Sequence, residues 1–250
     1  MVKNMELHVD ENNIAHLKMN DVKNQNIFSN DFIKGFLSAM DELEANYKPH
    51  AMILSGLETV FCAGAEKETL IDLSNGKIDV KDLLMSERLI NTEFPIITAM
   101  EGHAMGGGLV LALCSDIVIA AKESRYGAVF MNMGFTPGMG TTTLLQGLMG
   151  DFVANEMMFT GKRFKGTELI NKGTNINYIV PKKDVLSKAM DLALQISEKN
   201  VKSVYLLKYT LSAKKKKLLI DARLQEDMMH KLSFAYPETK ATINSFYAGN

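Results

Sequence analysis

Cysteine is scarce in this chain, an excess of either charge is absent, and no apolar run is long and unbroken. The two cysteines, Cys62 and Cys114, lie in apolar surroundings without metal-ligand spacing. They read as buried thiols of a reducing cytoplasm. With 28 Lys and Arg against 29 Asp and Glu, the formal net charge is -1, which gives no electrostatic case for nucleic-acid binding. The longest apolar runs are broken by Asp116 or by glycines, and Met1 to Glu6 carries no apolar signal core. Neither secretion nor a membrane span is expected. Internal repeats and low-complexity tracts are missing too. What remains is an ordinary globular composition, 46% hydrophobic and 23% charged, long enough for a substantial core. One domain with a helical C-terminal appendage is expected, with a core over 1–195 and a helical region over 196–250.

Glu6 to Met19 reads as two strands around the polar turn Asp10-Glu11-Asn12-Asn13. Ser29-Asn30-Asp31 caps a helix in which Phe32, Phe36, Met40 and Leu43 recur at helical spacing. Strand and helix signals then alternate to about residue 150, the mark of βα units. Beyond Asp151 the pattern predicts helices over 151–160, 166–172, 184–199, 201–211, 215–232 and 237–248, with one strand near 176–180. The polar, poorly periodic segment from Ser74 to Lys81 predicts a mobile loop.

The most informative stretch runs from Glu101 to Gly108. The apolar strand Pro95 to Met100 enters Gly106-Gly107-Gly108, and the apolar helix Leu109 to Cys114 leaves it. Glycines at such a turn let a backbone N–H approach a ligand closely, and a helix start adds unpaired donors. Upstream, Phe61-Cys62-Ala63-Gly64-Ala65-Glu66 follows a second apolar strand, Ala51 to Gly56. Two strand-end loops that each aim one N–H at a common point form an oxyanion hole.

These two loops, with Ser115-Asp116-Ile117-Val118-Ile119-Ala120 and Phe135-Thr136-Pro137-Gly138-Met139-Gly140, resemble the crotonase (enoyl-CoA hydratase/isomerase) superfamily over nearly the whole chain. The resemblance implies an α/β fold, the crotonase-like ββα spiral with a C-terminal helical trimerisation region. It places the oxyanion donors on the N–H groups of Ala65 and Gly107. It implies a homotrimer or a dimer of trimers. It also implies no cofactor beyond the phosphopantetheine of CoA or an acyl carrier protein that bears the substrate.

A thioester is an electron sink whose carbonyl oxygen becomes an enolate oxygen, so an oxyanion hole indicates enolate chemistry without naming the bond broken. The acid and base groups choose that bond. Hydratases of the superfamily carry one glutamate two residues after the triple glycine and another some way downstream, positions held here by Val110 and Phe130. Neither side chain can activate water or protonate carbon. An apolar pocket suits decarboxylation, in which a carboxylate loses its hydration as its charge disperses toward the oxyanion hole.

The run from Phe130 to Gly140 and the helix segment Glu226-Asp227-Met228-Met229-His230 resemble the decarboxylase branch of polyketide β-branching cassettes. That branch converts 3-methylglutaconyl to 3-methylcrotonyl thioesters. The resemblance assigns a catalytic histidine to His230 and a lysine to the 74–81 loop. Asp79 stands at the lysine position, flanked by Lys77 and Lys81, with Lys77 favoured by the hinge at Gly76. No tyrosine occurs between Tyr47 and Tyr126 to supply the one some relatives place nearby.

Met105, Val110, Phe130, Met131 and Met133 are expected to form the acyl pocket, with Met139 beside them, because methionine adapts to irregular apolar shapes. His103 is expected to act through its backbone, Asp116 to anchor backbone at a strand start. Lys214 to Lys217 reads as a solvated helix start, or alternatively as a contact for pantetheine phosphates or an acidic carrier protein. Two readings stay open beside decarboxylation: a double-bond isomerase using His230, and a non-catalytic interaction protein of a synthase assembly. An RNA-binding relative is disfavoured by the charge.

Overall fold

A computed structural model describes residues 4–78 and 84–248. In chain order its strands are β1 (Met5–Val9), β2 (Ile14–Met19), β3 (Ile27–Phe28), β4 (Ala51–Ser55), β5 (Val60–Cys62), β6 (Gly64–Ala65), β7 (Ile96–Met100), β8 (His103–Met105), β9 (Ile117–Ala121), β10 (Arg125–Gly127), β11 (Phe164–Lys165) and β12 (Tyr178–Val180). Helices connect and cover them. They are α1 (Asn30–Asn46), α2 (Lys67–Ser74), α3 (Met85–Ile90), α4 (Gly107–Leu113), α5 (Thr141–Met149), α6 (Asp151–Thr160), α7 (Gly166–Asn171), α8 (Val185–Ser197), α9 (Val201–Ala235) and α10 (Pro237–Ala248).

Each turn of the chain gives one strand to each of two sheets and then a helix. β4, β7 and β9 lie in the six-stranded sheet ordered β1-β2-β4-β7-β9-β12. Their successors β5, β8 and β10 lie in the four-stranded sheet ordered β11-β10-β8-β5. This repetition is the ββα spiral. The β1–β2 hairpin pairs antiparallel, and every other pairing in the large sheet is parallel.

Parallel strands covered on both faces are apolar throughout, and every residue of β4 and β7 is buried. Alternate residues serve opposite layers. Met52 and Leu54 enter the main core, while Ile53, Ile97 and Ile119 pack against Val185, Ala189 and Ala193 of α8.

Two expectations need correction. The helices expected over 201–211 and 215–232 are one helix, α9, of 35 residues. Its buried stripe runs through Lys208, Ser212, Leu219, Ala222, Glu226, His230 and Ser233. Polar residues hold that stripe near 212, so apolar periodicity fades there although the helix does not. Lys208 Nζ is 2.7 Å from Asp116 Oδ2, which also accepts from Ile96 N at 2.8 Å.

The lysine run is therefore not a helix start. Lys215 reaches inward and donates to the carbonyls of Leu113 and Ser115 at the end of α4, where a helix terminus attracts cations. The segment expected as a loop from Ser74 follows the end of α2, whose C-cap is Asn75. Gly76 adopts φ 69°, and Lys77 N donates to Asp72 O at 2.9 Å. Asp79 and Lys81 lie outside the described residues.

Candidate active site

The two glycine loops interlock, and each glycine has its own reason. Gly64 sits at φ 90°, where a Cβ would lie 2.7 Å from the Met105 carbonyl oxygen. Gly106 adopts φ 51° as the chain turns into α4. A Cβ on Gly107 would meet the Phe28 ring at 2.4 Å, and one on Gly108 would meet Cys62 O at 2.3 Å. The loops are thus held closer than any side chain allows.

Ala65 and Gly107 line one cavity of about 510 Å³. Tyr247 Oη donates to Ala65 O at 2.8 Å and so orients that loop. Burial pushes the Tyr247 hydroxyl up to about 12, which keeps it a donor. Among the described residues the Gly107 N–H meets no acceptor within the chain.

The wall of this cavity is largely apolar. Met105, Phe130, Met133, Phe135 and Met139 form much of it. Among the described residues it carries no carboxylate and no lysine; its ionisable members are His103, Arg163, His230 and Tyr247. His103 Nδ1 accepts from Arg125 N at 2.9 Å. Burial, then Lys182, Arg125 and Arg163, lower the His103 pKa, so its ring is a neutral brace.

His230 lines the same cavity. It projects from α9 and is 6% exposed. Its ring centre is 5.9 Å from that of Phe135 and 5.4 Å from that of Phe234. Nδ1 donates to Glu226 O at 3.2 Å, a bond that leaves Nε2 free. Glu226, one turn earlier, is buried and binds Gly140 N at 2.7 Å, Thr142 N at 2.8 Å and Thr142 Oγ1 at 2.7 Å. That carboxylate caps α5 and fixes α9, and with it His230, against the cavity. It also supports Met139 at φ 62°, a conformation uncommon for a side chain of this kind. Glu226 was legible only as part of a motif, since its role depends on a loop 86 residues away.

Three expected residues do not reach the cavity. Lys77 is 66% exposed and pairs with Asp72 Oδ1 at 2.7 Å, because the helix cap turns it back along α2. Val110 is 1% exposed and packs inside the main core. Met131 is 42% exposed, because the short 3-10 helix Val129–Met133 puts Phe130 and Met133 on one face and Met131 off it.

Burial lowers the His230 pKa to about 4, against opposing effects of the Glu226 carbonyl and the Asp227 charge. The folded protein therefore binds fewer protons than the unfolded chain between about pH 4 and 6.5. Stability should be fully present above pH 6.5 and fall through that window as pH drops, by about 3 kcal/mol at the bottom. Urea denaturation at a series of pH values, compared between wild type and His230→Gln, measures it. An unchanged pH slope in the variant would mean that His230 is not buried neutral.

Several known proteins resemble this one. Residues 10–248 match the enoyl-CoA hydratase/isomerase family model. The bacillaene synthase decarboxylase of Bacillus subtilis is 34% identical over 243 residues, 97% of each chain. A solved structure of a dehydratase/decarboxylase enzyme couple involved in polyketide β-branching superposes with TM-score 0.95 at 34% identity, covering 99% of this chain and 97% of that one. The ECH2 decarboxylase domain of CurF from Lyngbya majuscula superposes with TM-score 0.90 at 33% identity, covering 97% and 99%. A family match from residue 10 to the last helix, on a spiral whose glycine loops meet at one cavity, admits one conclusion: the chain belongs to the enoyl-CoA hydratase/isomerase, or crotonase, family.

Proposed function

We propose that the protein decarboxylates a 3-methylglutaconyl thioester to a 3-methylcrotonyl thioester, as a lyase of polyketide β-branching. The observation that carries this reading is an apolar cavity that holds Ala65, Gly107 and His230 but, among the described residues, no carboxylate. Decarboxylase relatives similar over nearly the full chain support it. The carboxylate enters a site without water, the C–C bond breaks, and its electron pair passes into the thioester as CO2 leaves. The Ala65 and Gly107 N–H groups hold the dienolate oxygen, and loss of one such donor costs on the order of 3 kcal/mol of barrier. His230 then protonates carbon. The negative substrate beside the ring favours its protonated form, offsetting the burial that keeps it neutral in the empty site.

The natural carrier is an acyl carrier protein or CoA, and the thioester brings the only group required beyond the chain itself. Buried Cys62 and Cys114 support a reducing cytoplasm as the setting, and among the described residues no helix is long and apolar enough to cross a membrane. The decisive experiment offers 3-methylglutaconyl thioester on CoA and on a carrier protein, with CO2 trapped and counted. Hydration of crotonyl-CoA, measured in parallel, should be negligible, since Val110 and Phe130 cannot transfer protons. Hydration without CO2 release would overturn the proposal.

A second reading, double-bond isomerisation with His230 moving a proton between the α and γ carbons, is favoured by one observation. Among the described residues no lysine lines the cavity in the role the decarboxylase resemblance assigns to one, which leaves the Arg163 guanidinium as the cation on its wall. Isomerised product from an uncarboxylated enoyl thioester, with no CO2 from the carboxylated one, would select it.

The homotrimer belongs to the same proposal. Ile220, Leu224, Met228 and Leu232 recur every fourth residue on the outer side of α9, each more than half exposed. An apolar stripe of that kind marks a subunit contact. Light scattering at micromolar concentration should give three times the chain mass or a multiple of it; a stable monomer would remove the trimer.

A further inference from the structure

Decarboxylation consumes a proton at every turnover, and the main cavity is a poor route for it. The thioester fills that space, and its apolar wall excludes the water that would carry the proton. His230, however, lines two cavities. The second, of about 160 Å³, is bounded by Leu73, Ser74, Gly76 and Ile78 on one side and by Asp227, Lys231 and Phe234 of α9 on the other. Among the described residues it shares only Leu73 and His230 with the main cavity. Gly76, Lys231 and Ala235 at its edge are exposed, so it reaches solvent.

We propose that this second cavity is the proton inlet of the active site, through which His230 is recharged from solvent, with Asp227 as the positioning carboxylate. The inference rests on the decarboxylation reading and adds the source of the proton. In the balanced step, the C–C bond to CO2 breaks and its electron pair enters the dienolate. A C–H bond then forms with the His230 proton. The neutral ring takes a replacement from water in the inlet. Because Nδ1 is bound to the Glu226 carbonyl, both transfers use Nε2.

Among the described residues, charges near the ring are few. Asp227 and Lys231 face it from α9, and Asp227 acts on it to favour protonation. Glu226 is turned away onto Gly140 and Thr142. The inlet residues of α2 carry no titratable group, and the Asp72–Lys77 pair lies outside the inlet wall. The Val129–Met133 segment and residues 134–140 carry none either. Across the main cavity stand Tyr247 of α10, His103 and Arg163.

The test uses the full chain with Asp227→Asn and Asp227→Ala. Nuclear magnetic resonance of labelled histidine in the substrate-free protein should show the His230 midpoint moved to lower pH by about one unit in Asp227→Asn. In turnover, kcat should fall roughly tenfold near neutrality with KM unchanged, and its fall at high pH should begin earlier. Formate, small enough for the inlet, should restore part of kcat in Asp227→Ala. An unmoved midpoint with wild-type kcat would overturn the inlet, and so would a slow Asp227→Ala that formate fails to rescue. If wild type releases no CO2 while the midpoint still moves, the decarboxylation reading falls and the coupling of Asp227 to His230 stands.

Discussion

Replacing His230 with alanine should reduce product formation from the carboxylated thioester by roughly a hundredfold or more, with circular dichroism unchanged. The dienolate left by CO2 needs an acid within reach, and His230 lines the cavity with Nε2 free and the Asp227 charge favouring its protonation, whereas Lys182, Arg125 and Arg163 disfavour a proton on His103. Tyr247 is committed to Ala65 O, and burial makes it a weak acid. Loss of the imidazole leaves the oxyanion corner untouched, because Ala65 and Gly107 are held by the glycine loops. Binding of an uncarboxylated thioester should therefore persist. A folded His230→Ala that keeps wild-type decarboxylation would show that the proton comes from elsewhere and that the histidine is structural.

Lys208→Ala should cost about 3 kcal/mol of stability, a fall in Tm of roughly 6–12 °C for a chain of this size. Lys208 is 3% exposed, and its ammonium has Asp116 as partner. Removing it leaves that carboxylate, itself 24% exposed, with the Ile96 N–H as its remaining donor among the described residues. The loss is larger than for a surface pair because little water can replace the ammonium. Lys208→Met keeps the aliphatic stem and should recover only the packing part. Thermal denaturation of both variants decides it. A change in Tm of under two degrees in Lys208→Ala would mean that Asp116 is adequately solvated without its partner.

The strands and glycine turns were legible because their causes are local. Apolar strands that end in glycine turns report where the backbone bends and where it comes close to something, and β4, β7 and α4 follow those signals. The interruption expected within α9 marks where local reading stops. Lys208, Ser212 and Lys215 look like a solvated break in an apolar pattern. Asp116, the partner of Lys208, and Leu113 and Ser115, the partners of Lys215, are about a hundred residues distant in sequence. A buried polar residue can be recognised as buried only once its partner is known.

The acyl pocket divides along the same line. Composition around Phe130 to Gly140 marked an apolar site, but periodicity did not separate Met133, which lines the cavity, from Met131, which faces out. That choice belongs to a single 3-10 turn. Lys77 stood near the site in sequence, but a helix cap at Gly76 directs it to Asp72.

The sequence by itself determined the alternation of strands and helices to about residue 150, the two glycine loops after β4 and β7, and the absence of carboxylates at 110 and 130. Each of these is written in residue type and short-range order. Only the tertiary structure decided that α9 is continuous, that Glu226 clamps it to Gly140 and Thr142, and that His230 stands in the wall between two cavities. Those facts depend on which distant groups satisfy buried charge and hydrogen bonds, and no local pattern encodes that pairing.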